Sequence, residues 1–212
     1  MESRFSLVTR LQKALIRLDA DLRAVGARWA LVGGFAVILR AESRSTRDLD
    51  VVLAVSGERE AENIVRSLRL RGYRDHPKGG MIEGKDGRLA TVRLVSPSLE
   101  EDGTGSEVDL LIACTGVEAE VVAAATPIEL LPGVVIPVAR AGHLVALKVL
   151  AGRLKDVEHL QVLIRGMGTD DLRIARETVD LIERRGFNDK PERDLLVELG
   201  KLLEESSSNQ DF

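Results

Sequence analysis

Two adjacent glycines, Gly33-Gly34, sit between an apolar run, Trp29-Ala30-Leu31-Val32, and a helix-forming stretch, Phe35 to Arg40. The order strand, glycine turn, helix constrains this chain more than any other feature. It leaves backbone N–H groups at a helix N-terminus with no side chain over them, a geometry that admits phosphate oxygens. The alternation then continues. Asp48 to Val55 is rich in β-formers and ends before Gly57, and Glu58 to Leu70 has helical spacing through Ala61, Ile64, Val65 and Leu68.

Around this unit the pattern is regular. Leu7, Leu11, Leu15, Leu18, Leu22 and Val25 recur every three or four residues, which predicts an amphipathic helix with Ser6 as N-cap and Gly26 as stop. Tyr73 to Thr115 reads as antiparallel, with strands Leu89 to Val95 and Val108 to Ala113 separated by the polar loop Ser98 to Ser106. Val134 to Ala139 is a further strand. Beyond it the periodicity predicts helices over Leu144 to Leu150, Val157 to Ile164, Leu172 to Arg185 and Asp194 to Glu204. Thr169 is expected to cap one of them, and Pro191 to sit in the first turn of another. The reading is therefore α/β over residues 1–140, followed by an all-helical region over 141–212.

Asp48 and Asp50 lie two apart on a predicted strand, so both leave the same face, roughly 6–7 Å apart at the backbone. Two carboxylates that close repel each other unless a cation sits between them, and Mg²⁺ is a hard ion that takes such oxygens together with phosphates. Leu49, Val51 and Leu53 take the opposite, core-forming face. A third carboxylate, Asp109, stands on the short strand Glu107 to Leu111. Pairing that strand beside the first brings three carboxylates together, enough for two ions in a phosphoryl or nucleotidyl transfer site. Glu107 is the competing ligand and is expected to face away. Arg44 and Arg47 either orient the aspartates or bind phosphate, and Thr46 caps or holds the turn before the strand. Cys114 reads as a small core residue, and the scattered histidines have no zinc-ligand spacing.

Composition narrows the class. The 212 residues carry a net charge of −4 and only 3% aromatics, which argues against bulk duplex binding and against a base-stacking reader. A single cysteine excludes an intrachain disulfide. The N-terminus lacks the apolar stretch of a signal peptide, and the longest apolar runs are too short to span a bilayer, so the expectation is a soluble, cytoplasmic protein.

The pattern of Gly-Gly, a short helix, Arg-x-Thr-x-Asp-Leu-Asp and a later Asp resembles the polymerase-β-type nucleotidyltransferase superfamily. Within it, Leu31 to Val37 and Arg44 to Asp50 resemble the AbiEii/AbiGii toxin family. His143-Leu144-Val145-Ala146-Leu147-Lys148 and Arg153-Leu154-Lys155-Asp156 are similar to that family's later motifs. The resemblance spans roughly Trp29 to Ile164. It implies a mixed sheet flanked by helices, with Mg²⁺ on Asp48 and Asp50. It also implies that Asp109 assists or acts as base, that Lys148 contacts nucleotide phosphates, and that Asp156 supports the site. The activity implied is transfer of a nucleoside monophosphate from an NTP to an acceptor, with tRNA 3′ ends as target and a cognate antitoxin as partner. A small-molecule antibiotic or protein hydroxyl as acceptor, and a catalytically degenerate nucleotide- or partner-binding module, are the alternatives. The last is favoured by Phe35, which stands where many nucleotidyltransferases place a phosphate-holding Ser or Thr.

Overall fold

The computed structural model describes residues 9–41, 46–83, 89–98, 103–112, 114–152 and 157–208. Helix α1 (Arg10–Ala24) opens on a capping box. The Thr9 hydroxyl accepts from the Gln12 N–H, and the Gln12 side chain accepts from the Thr9 N–H. The cap is thus Thr9, three residues inside the expected Ser6, which lies outside the described residues. Leu15, Leu18 and Leu22 form its fully buried stripe.

Strand β1 (Trp29–Val32) runs directly into α2 (Gly33–Ala41), and β2 (Asp48–Leu53) returns antiparallel to β1. Helix α3 (Glu58–Leu70) follows, with Ala61, Ile64, Val65 and Leu68 buried as their spacing predicts. Two short strands, β3 (Arg74–Asp75) and β4 (Met81–Glu83), both pair with β5 (Leu89–Val95). Strand β6 (Glu107–Leu111) lies antiparallel to β5 and parallel to β2. After α4 (Glu118–Ala123) come β7 (Thr126–Leu131) and β8 (Val134–Val138), and β8 pairs parallel with β1. Among the described residues the result is one mixed eight-stranded sheet, ordered β3-β5-β6-β2-β1-β8-β7 with β4 also on β5. Helices α1 and α3 pack together and contact β2 and β5 respectively.

The sequence periodicity does not register β3, β4, β7 or α4. Strands β3 and β4 are two and three residues long and α4 is under two turns, too short for a period to register, and β7 carries Pro127. As an edge strand β7 tolerates that proline.

Helices α5 (Ala141–Ala151), α6 (Val157–Arg165), α7 (Thr169–Arg184) and α8 (Leu195–Ser208) complete the fold. Gly142 lets α5 approach α7, since a Cβ there would stand 2.9 Å from Ile174 Cβ. Helix α5 also contacts α2, the helix that follows the glycine pair. Its C-terminus ends on Gly152 in the left-handed conformation, and the Arg193 guanidinium donates to the Val149 and Leu150 carbonyls. Two expected caps differ. Thr169 is the first residue of α7 rather than its cap. Pro191 lies in the turn before α8, whose first turn is capped by Asp194 accepting from the Val197 N–H. Among the described residues no helix is long and apolar enough to cross a membrane.

Candidate active site

The site is built on adjacent strands. In the parallel β2–β6 pair, Asp50 stands opposite Asp109 and Asp48 opposite Glu107. On the other side of β2, Asp50 faces Val32, the last residue of β1. On the other side of β6, Asp109 faces Arg93 of β5. One row across the sheet therefore reads Val32, Asp50, Asp109, Arg93. Leu49, Val51, Val108 and Leu110 point to the opposite face and are fully buried, whereas Asp48, Asp50 and Asp109 are half-buried. That alternation holds the carboxylates at an accessible surface while the same strands anchor the core.

The glycine pair belongs to this site. Gly33 has φ +67, and a Cβ added to it would overlap the Asp50 carboxylate. A Cβ on Gly34 would lie 2.8 Å from the Thr46 hydroxyl. Both positions need glycine because carboxylate and hydroxyl occupy the space a side chain would take. The Thr46 hydroxyl in turn donates to Asp48 Oδ1 at 2.8 Å, orienting it. Phe35 is buried, so its side chain belongs to the core.

Asp48, Asp50, Asp109, Gly33, Gly34, Thr46, Arg47 and Lys148 all line one cleft of about 1580 Å³. Lys148 projects from α5, half-buried among Leu144, Leu147 and Leu150 of the same wall. Arg47 is exposed. Arg44 and Asp156, the remaining residues of the expected set, lie outside the described residues.

Electrostatics single out Asp109. Burial pushes its carboxyl above the usual range; Arg93 opposes the rise, and Asp48 and Glu107 add to it. The Arg93 Nε is 3.4 Å from Asp109 Oδ2, an ion pair just short of a hydrogen bond, and that buried Nε has no hydrogen-bond acceptor. Among the described residues no three His, Cys, Asp or Glu side chains close into a ready-made metal cage. The three aspartates share one wall of the cleft without collapsing onto one another. Their donor chemistry still suits Mg²⁺, which takes one or two carboxylates and completes its shell with water and phosphate.

Several lining residues carry no sequence signal. Glu107 does not face away: residues two apart on a strand share a face, so it lies on the side of Asp109. His76 Nε2 is 3.3 Å from Glu107 Oε1, while His76 Nδ1 accepts from the Lys78 N–H. Strand alternation would place Arg93 on this face once β5 is known to flank β6. His76, Lys78 and the segment Phe187 to Lys190 reach the cleft from remote parts of the chain. Phe187 is seated by Gly116, where a Cβ would meet its ring at Cε2, 2.5 Å away. Cys114 also lines the cleft, and burial pushes its thiol up to about 12, so it stays protonated at neutral pH.

This architecture is that of a nucleotidyltransferase-like fold. An antigenic nucleotidyltransferase-like protein from Paracoccidioides brasiliensis superposes with a TM-score of 0.55 over 92% of each chain, at 17% identity. The antibiotic-resistance factor ANT(2″)-Ia is 16% identical, with a TM-score of 0.49 over 84% of this chain and 94% of that one. The nucleotidyltransferase toxin MenT4 from Mycobacterium tuberculosis is 14% identical, with a TM-score of 0.39 over 93% of this chain and 94% of that one. The fold assignment rests on the first of these. No family model matches the sequence, and no curated protein matches it.

Proposed function

We propose that this protein is a Mg²⁺-dependent nucleotidyltransferase of the AbiEii/AbiGii toxin type. It transfers a nucleoside monophosphate from an NTP to the hydroxyl of a tRNA 3′ end, and its activity is restrained by a cognate antitoxin. The observation that carries the reading is the register of Asp50 with Asp109, Asp48 two residues away, against a glycine turn that has room for no side chain.

In this reading the backbone N–H groups at the start of α2 receive phosphate oxygens of the triphosphate. Lys148 and Arg47 add positive charge from the walls of the same cleft; Arg44 is proposed to add to that charge, and Asp156 to support the site. Thr46 keeps Asp48 aimed. Asp48, Asp50 and Asp109 supply the hard oxygen donors for one or two Mg²⁺ ions, which would stabilise the charge that develops on the phosphates. Asp109 takes the proton of the acceptor hydroxyl as its oxygen bonds to the α-phosphorus. The bond from that phosphorus to the bridging oxygen breaks, and pyrophosphate leaves.

The test is transfer of label from α-³²P nucleotides, with Mg²⁺, to total RNA, protein and aminoglycosides in parallel. Label is expected in RNA with wild-type protein and in nothing with the Asp48→Ala/Asp50→Ala double variant. Transfer retained by the double variant defeats the mechanism. Label in an antibiotic or protein defeats the tRNA assignment, and triphosphate binding without turnover on any acceptor identifies a degenerate binding module.

A further inference from the structure

Asp109 has a charged partner on each side. Asp50 stands opposite it across β2–β6, and Arg93 stands opposite it across β5–β6. Arg93 is itself held at the backbone on both sides: its N–H donates to the Gly80 carbonyl at 2.7 Å and its carbonyl accepts from the His76 N–H at 3.1 Å. The backbone from which the guanidinium reaches the cleft is therefore fixed on both sides.

The contact is longer than the hydrogen-bonded ion pairs of this chain, and matches the 3.4 Å between Arg71 Nε and Asp21 Oδ1. Arg17 reaches Asp21 and Arg69 reaches Asp75 at 2.6 Å, both as hydrogen bonds. Arg93 stops at 3.4 Å from Asp109, with its buried Nε unsatisfied and its side chain 42% exposed to the cleft. A loose pair with an unfilled donor is easily exchanged, whereas a tight one acts as a staple.

We propose that Arg93 is a positioning residue that acts through Asp109. It is the resident counter-ion of the third carboxylate, holding it beside Asp48 and Glu107, and it competes with the divalent cation for that carboxylate. Asp109 is thus shared between cation and guanidinium. This assignment rests on the proposed cation site and adds a residue to it.

The experiment is Mn²⁺ titration by calorimetry, without nucleotide, on wild type, Arg93→Gln, Arg93→Lys, Asp109→Asn and the Arg93→Gln/Asp109→Asn double variant, each checked for folding by circular dichroism. Removing a competing charge from a half-buried pair is expected to tighten Mn²⁺ binding by about five-fold in Arg93→Gln. Arg93→Lys should stay within about two-fold of wild type, because the charge remains while the planar fork is lost. In the Asp109→Asn background the Arg93→Gln change should disappear, since the competition runs through that carboxylate. Equal Mn²⁺ affinity in wild type and Arg93→Gln, or the same tightening with and without Asp109, overturns the assignment while leaving the cation site standing. A wild-type protein that binds no Mn²⁺ overturns both.

Discussion

Gly33 and Asp50 share one small volume: a Cβ on the glycine would overlap the carboxylate of the aspartate. The turn at the head of α2 and the strand that bears the acidic pair are therefore a single unit. A change in the turn is felt first at the carboxylate.

Gly33→Ala follows from this contact. The substitution places a side chain at φ +67 and drives it into Asp50, which should cost roughly 1–3 kcal/mol of stability. Chemical denaturation should show a folded but weakened protein. Divalent-cation binding should fall further than stability, because the displaced group is Asp50. Gly26→Ala is the control: it has a similar φ but open space around the Cβ, so it should be destabilised without loss of cation binding.

Asp109→Asn should stabilise the protein. Burial, with Asp48 and Glu107, raises this carboxyl above its unfolded value despite the opposing Arg93. The folded state then holds the proton more tightly than the unfolded state, so stability falls as pH rises from the unfolded pKa through the folded one. Above that window the wild type carries the whole penalty. The variant should gain on the order of 1 kcal/mol at neutral pH, together with a flatter stability profile at acid pH. A thermal melt at neutral pH that shows Asp109→Asn less stable than wild type contradicts the account.

His143 makes the opposite prediction on the acid side. It is buried on α5, its Nδ1 has no hydrogen-bond partner, and burial, followed by the nearby Arg140, lowers it to about 4. Asp171 and Glu120 pull the other way and are outweighed. The unfolded state binds this proton first, so stability is lost as pH falls from the ordinary histidine value toward 4. The loss attributable to His143 is roughly 2–3 kcal/mol at the lower end. His143→Gln should remove that slope between those two pH values when unfolding is followed by urea titration. A slope unchanged by the substitution rules His143 out as its source.

The elements most legible in the sequence are the long periodic ones. The spacing of Ala61, Ile64, Val65 and Leu68 predicts α3, and Leu89 to Val95 coincides with β5. The short strands β3 and β4 are invisible to periodicity, because two or three residues carry too little pattern, and β7 is masked by Pro127. The N-cap of α1 shows the same limit at one residue: Ser6 and Thr9 both suit the role, and the Gln12 side chain reaching back to the Thr9 N–H decides for Thr9.

By itself the sequence determined the glycine turn, the one-faced pair Asp48 and Asp50, and the presence of a third carboxylate on another strand. These are local facts, set by residue type and by the two-residue repeat of a strand. Only the tertiary structure decided that Asp109 registers with Asp50, that Glu107 shares its face, and that Arg93 and His76 flank the acidic row. Strand order and register arise from packing and hydrogen bonding between segments tens of residues apart. No short window of sequence contains the neighbour that each carboxylate will meet across the sheet.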